Sequence, residues 1–203
     1  MIKFKAPLLL GFIVFGLMSA LALAQNSVRV RGAITGFDGH VLAVKTREGN
    51  DLKVNISDDT AVNSIFAQQM SDIKQGRFVG VTAIRKSPQS SLYALEVHIF
   101  PETSRGMGEG HRDWDLEPGS TMTNANIDAI VEGNDGKELT LSYKDGKQKI
   151  IVPPGTPVVT FMPGDKSLLK AGAQVFFVAQ PAADGTLTAQ RIQVGKDGMK
   201  PPM

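Results

Sequence analysis

The chain of 203 residues contains no cysteine. That absence excludes structural disulfides, thiol redox chemistry, cysteine-ligated metal centres and cysteine hydrolases. Aromatic residues are scarce, with a single Trp, two Tyr and 6% in total. Without aromatics interleaved among basic residues, the stacking platform of a single-strand nucleic-acid binder is missing. Net charge is also lacking. The 22 basic residues face 20 acidic ones, and Lys3 and Lys5 lie in an acid-free opening segment, so positions 25–203 carry 20 of each. A balanced chain does not hold nucleic acid or an anionic membrane by bulk electrostatics. Local motifs of common catalysts are absent too: there is no G-x-S-x-G elbow and no G-K-[ST] phosphate loop. Gly106-Met-Gly-Glu-Gly110-His111 has His where a dinucleotide fingerprint needs its third Gly.

Long apolar runs are absent except at the start. Leu8 to Ala24 follows a short basic region and ends in Ala22-Leu23-Ala24, the pattern of a cleaved secretory signal over residues 1–24. The alternative, a retained anchor, needs about 17 apolar residues, which this stretch only just supplies. One such run excludes a multi-span membrane protein. The expectation is an exported protein, periplasmic if the source is Gram-negative, with no membrane contact after cleavage.

What is present is a pattern written twice. Val30-Arg-Gly-Ala-Ile34-Thr-Gly36-Phe-Asp38-Gly39 parallels Ile127-Asp-Ala-Ile-Val131-Glu-Gly133-Asn-Asp135-Gly136. Leu42 to Gly49 parallels Leu139 to Gly146, Ile73-Lys74-Gln-Gly76 parallels Leu169-Lys170-Ala-Gly172, and Leu92 to Ile99 parallels Leu187 to Val194. Within each unit apolar and polar residues alternate, and Asp-Gly or Glu-Gly pairs punctuate the runs as hairpin turns. Short helices are expected at Ala67 to Ile73 and near Lys166 to Leu169. The predicted fold is all-β: two tandem small antiparallel β-barrels, OB-like, over 28–100 and 124–195. An ordered connector over 101–123 joins them, and a loose tail follows at 196–203.

The connector concentrates the unusual residues. It holds Trp114, flanked by Arg112, Asp113 and Asp115, and these four are the candidate ligand- or partner-binding residues. The indole is expected to dock on a barrel with its N–H bonded to an acceptor. His98, His111 and Glu109 form a candidate metal set, because His with carboxylates suits Zn²⁺, and Met107 adds a soft donor suited to Cu(I). Against this, Glu96 and His98 correspond to Arg191 and Gln193 in the second unit, so an ordinary solvated strand face accounts for both. Asp113-Trp-Asp115-Leu-Glu117 opens like a calcium loop but has Pro118 where that loop needs Gly. Arg29, Arg31, Lys45, Arg47, Lys53, Arg77, Arg85 and Lys86 read as a solvated basic face, not a nucleic-acid surface.

The chain resembles an exported bacterial family of unknown function. The resemblance rests on Val30-Arg-Gly with Val44-Lys-Thr-Arg-Glu-Gly49, Ala94-Leu-Glu-Val-His-Ile-Phe-Pro-Glu102, Gly108-Glu-Gly-His-Arg-Asp-Trp-Asp115, Gly119 to Ala125, Val152-Pro-Pro-Gly-Thr-Pro-Val158 and Pro163-Gly-Asp-Lys166. Relatives carry labels such as "metal ABC transporter permease". A permease label does not fit a chain with one apolar segment, and the resemblance implies no catalytic residues; no cofactor is expected beyond a divalent metal at the candidate set. The leading expectation is a non-enzymatic binding or adaptor protein of the cell envelope, its partner an unidentified envelope protein or small ligand. A periplasmic metal-binding accessory protein is the alternative, with an envelope hydrolase third.

Overall fold

Alternation in the sequence becomes alternation in burial: along Val28–Phe37, Val30, Gly32 and Ile34 are buried while their neighbours are not. The computed structural model describes residues 27–182 and 184–203, so the signal-like segment lies outside the described residues. Those residues form an all-β protein. Its strands are β1 (Val28–Phe37), β2 (Val41–Thr46), β3 (Asp51–Asn55), β4 (Ala61–Gln68), β5 (Phe78–Arg85), β6 (Leu92–Ile99) and β7 (Gly110–Asp113). They continue as β8 (Thr121–Gly133), β9 (Gly136–Tyr143), β10 (Gly146–Val152), β11 (Val158–Pro163), β12 (Gln174–Pro181) and β13 (Leu187–Gly195). The two expected short helices are single 3-10 turns, Met70–Asp72 and Lys166–Leu168. No helix among the described residues is long and apolar enough to cross a membrane.

All 13 strands join one hydrogen-bonded network in the order β10-β9-β8-β5-β6-β11-β4-β13-β12-β1-β2-β3, with β7 attached to β8. Two further pairings, β10 with β6 and β13 with β3, close rings within it. One ring contains β1, β2, β3, β12 and β13; the other contains β8, β9, β10, β5 and β6. Each encloses its own apolar cluster. Val30, Leu42, Val54, Phe177 and Ile192 fill the first, and Val81, Val97, Ile127, Leu139 and Ile150 the second.

This corrects the tandem arrangement expected over 28–100 and 124–195. Each ring takes three strands from one half of the sequence and two from the other, and β4 and β11 cross between them as an antiparallel pair. Ile65 and Phe161 face each other in that pair and are 96 positions apart, the same spacing as Ile73 and Leu169. Matching positions thus meet at the centre, which places an approximate two-fold axis through β4 and β11. The exchange has a simple physical origin: β5 and β12 present the same apolar pattern, so either can complete either ring.

Strand register also moves one sequence match. Ile34 pairs with Val44, and Ile127 with Leu141, each beside a β-bulge. Ile34 is further bonded to Ala173 and Gly172 as Ile127 is to Arg77 and Gly76. Ile127 is therefore the counterpart of Ile34, not of Val30. The Asp-Gly turns still correspond, and the extra residues lengthen the β8–β9 hairpin.

Candidate functional site

The second surface of the central strands carries a third apolar cluster: Ile65, Phe78, Phe100, Val159, Phe161, Phe176 and Met203, with Met107, Trp114 and Met199 packed against it. Two segments cover this face. The connector supplies a 3-10 turn at Glu102–Ser104, strand β7 and the loop bearing Trp114. The end of the chain supplies the other cover. The expected loose tail at 196–203 is instead docked: Pro201 and Met203 are buried, and Arg31 and Arg47 donate to the Met203 and Pro201 carbonyls.

Between cover and sheet lies a cavity of about 260 Å³ whose walls include His98, Met107, Trp114, Met122, Asn124 and Met203. Gly80 forms part of its floor. A Cβ there would stand 2.8 Å from Asn124 Oδ1 and 3.0 Å from Phe100, so glycine is what keeps the space open. Four cavity residues carry buried polar atoms with no hydrogen-bond partner: His98 Nε2, Trp114 Nε1, Asn124 Oδ1 and Gln193 Oε1. Leaving a buried polar atom unpaired costs about 1–3 kcal/mol. Several around one cavity mark a place where a ligand can supply the missing bonds.

Glu96 and His98 do not lie on a solvated face. They are 0% and 3% exposed, because the covering segments close over the strand face that alternation alone assigns to water. Burial pushes the Glu96 carboxyl up to about 7, against the opposing hydrogen bond from Thr82 and the charge of Arg31. Burial likewise pushes the His98 imidazole down to about 4. Its ring stacks on Phe100 at 4.9 Å and meets the edge of Phe161 at 5.0 Å, which fixes its plane.

The candidate metal set does not assemble. His98 is inside the cavity, whereas His111 is exposed on edge strand β7, bonded through Nδ1 to Thr123 Oγ1 at 2.8 Å and stacked on Tyr143. The Glu109 carboxylate accepts from the Lys144 backbone N–H. Among the described residues, no three His, Cys, Asp or Glu side chains converge on a metal position.

Three of the four connector candidates do come together. The Arg29 guanidinium lies 4.1 Å from the Trp114 ring centre and that of Arg112 5.7 Å. Asp115 pairs with Arg31 at 2.8 Å and Arg29 at 3.4 Å. Partial burial opposes ionisation of Asp115, but the Arg31 hydrogen bond and the two guanidinium charges outweigh it and hold the carboxyl below its ordinary range. Asp113 is exposed and stands apart. The cluster ties the connector to β1, and its indole N–H lacks the acceptor expected for it.

Trp114→Ala should cost about 3 kcal/mol, as large aromatic truncations in packed sites do. Native emission of this single Trp should be blue-shifted and move red in the same transition that melts the sheet. Retention of the melting temperature after Trp114→Ala, with freely quenched native emission, would show an undocked connector.

Sequence reasoning missed Met122, Asn124, Gly80, Gln193 and Met203, which come from β8, β5, β13 and the tail. No local pattern links them. Comparison with protein-family models, with curated proteins and with solved structures finds no match in any of the three.

Proposed function

We propose that this chain is an exported, non-enzymatic binding protein of the cell envelope, and that the connector-covered cavity is its recognition site. We further propose that the two strand rings act as small OB-like barrels holding the cavity between them. The observation that carries the reading is the set of four unpartnered buried polar atoms around one apolar cavity. Ligand sites are commonly concave, mainly apolar, and given direction by a few convergent polar groups. Trp114, Arg112 and Asp115 serve here as the fastening that holds the cover, so the connector forms a wall of the site more than an outward-facing surface. The signal-like residues 1–24 support export.

The test uses native mass spectrometry of gently purified mature protein. A non-covalent small-molecule or ion adduct should be present in the native chain or appear on challenge with a ligand panel. It should be lost in Val178→Trp. Val178 is 37% exposed and lines the cavity, so a large ring there plugs the mouth without entering a core. No adduct under any condition, or adducts indifferent to Val178→Trp, would defeat the reading.

A further inference from the structure

The polar atoms around the cavity share it with an unusual concentration of sulfur. Of eight methionines in the chain, Met107, Met122 and Met203 line this one space, and Met199 packs against the same cluster. His98 is in direct contact with one of them: its Nδ1 lies 3.1 Å from the Met203 Sδ. Met122 Sδ lies 3.6 Å from where a Gly80 Cβ would be, and Gly80 is the cross-strand partner of His98. Met122 Sδ, which accepts from Thr82 Oγ1 at 3.9 Å, thus borders the same space as the imidazole. Met107 Sδ, 3.2 Å from Arg191 Nη1, stands at the cavity's rim.

We propose that the cavity binds a single soft monovalent cation of the Cu(I) class, with the His98 imidazole and the Met203 and Met122 thioethers as ligands. The inference rests on the cavity being the recognition site and names its ligand. Thioethers select soft ions such as Cu(I), whereas carboxylates and water suit hard ones. The donors here are all neutral, and Arg112 and Arg191 on the same walls oppose a doubly charged ion. His98 is 97% buried, counting from its 3% exposure, and its Nδ1, the nitrogen facing Met203 Sδ, is the one placed to ligate. Metal–nitrogen and metal–sulfur bonds of about 2.0 and 2.3 Å fit a 3.1 Å nitrogen–sulfur gap only at an angle near about 90°. Binding therefore parts the pair slightly, and the adjoining cavity leaves room for that movement.

Ag(I) is the probe, as a soft monovalent ion that does not change oxidation state in air, and Zn²⁺ is the control. Titration of the mature protein in chloride-free buffer should give a one-to-one Ag(I) adduct by native mass and quench Trp114 emission. Zn²⁺ should produce neither effect. Met203→Leu with Met122→Leu conserves volume and should keep the melting curve, while weakening Ag(I) about tenfold or more. His98→Ala should abolish the adduct. No stoichiometric Ag(I) adduct, an adduct unmoved by the Met→Leu pair, or equal binding of Zn²⁺ would overturn the assignment. If Ag(I) fails while another adduct remains sensitive to Val178→Trp, the metal falls and the binding reading stands.

Discussion

Cleaving the chain at a protease site inserted at Gly106 should leave both fragments in one particle. Gly106 is exposed, at φ 82°, with nothing near its Cβ direction, so an insertion there is tolerated. The amino-terminal fragment then holds β1 to β6 and the carboxy-terminal one β7 to β13. Neither contains a complete ring. β1 pairs with β12, β5 with β8, β4 with β11 and β6 with β10, so every ring and the central crossing span the cut. Apolar residues from both fragments fill both cores: Val30 and Phe177 share one, Val81 and Ile127 the other. The fragments should co-elute at the mass of the intact protein on dilution to about 1 μM and separate only in denaturant. Cutting removes the advantage of tethering, which for short flexible links corresponds to about millimolar effective concentration. The buried strand pairings should outweigh that loss. Two separately eluting folded pieces would restore the tandem arrangement.

Strand content and turn positions were legible because alternation and Asp-Gly pairs are local signals. The exchange was not. A five-strand ring made from β1, β2, β3, β5 and β6 would satisfy the same alternation as the observed one, since β12 repeats the pattern of β5. Self-similarity shows that two units match, and by the same token it cannot show which copy of a strand a ring uses. The Asp-Gly turns also drew Val30 opposite Ile127. Bulge positions and strand register, which set the true match at Ile34, leave no mark in the sequence.

The site was legible only in its connector. Trp114 stood out by composition, and Asp115 and Arg112 by proximity to it. His98 is visible in the sequence as a candidate Zn²⁺ ligand, but grouped with His111 and Glu109, its neighbours in sequence and not in space. Its actual neighbour is Met203, 105 positions away, which the docking of the tail delivers. A polar strand face is normally solvated, so the burial of Glu96 and His98 could be inferred only from the segments that cover it.

That burial should show itself as a cancellation. In chelator-treated protein, the contributions of Glu96 and His98 to stability should be nearly flat between pH 4.5 and 6.5, and Glu96→Gln should expose a steep acid loss. Glu96 has its folded value raised from 4.5 to about 7, so its stabilisation is complete below pH 4.5 and is lost as pH rises toward 7. His98 has its folded value lowered from 6.5 to about 4, so its stabilisation is complete above pH 6.5 and is lost as pH falls toward 4. In the overlap the folded state carries one proton on Glu96 and the unfolded state one on His98. Equal proton numbers mean no slope. The groups facing the pair do not disturb this balance: Thr82 against Glu96, and Met203, Phe100 and Phe161 against His98, take up no proton in this range, and the Arg31 charge that acts on Glu96 is common to both proteins. With Gln at 96 only the His98 proton remains to be taken up on unfolding. Stability should then fall by about 1.4 kcal/mol per pH unit, or about 3 kcal/mol from pH 6.5 to 4.5, relative to wild type. Above pH 7 the two curves should run parallel, the variant having gained on wild type through the rise because it has no carboxyl to ionise in a dry site. Urea midpoints measured for both proteins across this range give the difference directly, with the surface carboxylates common to both. Parallel curves for the two proteins below pH 7 as well would mean that the pair is hydrated and that the cover over the site is open in solution.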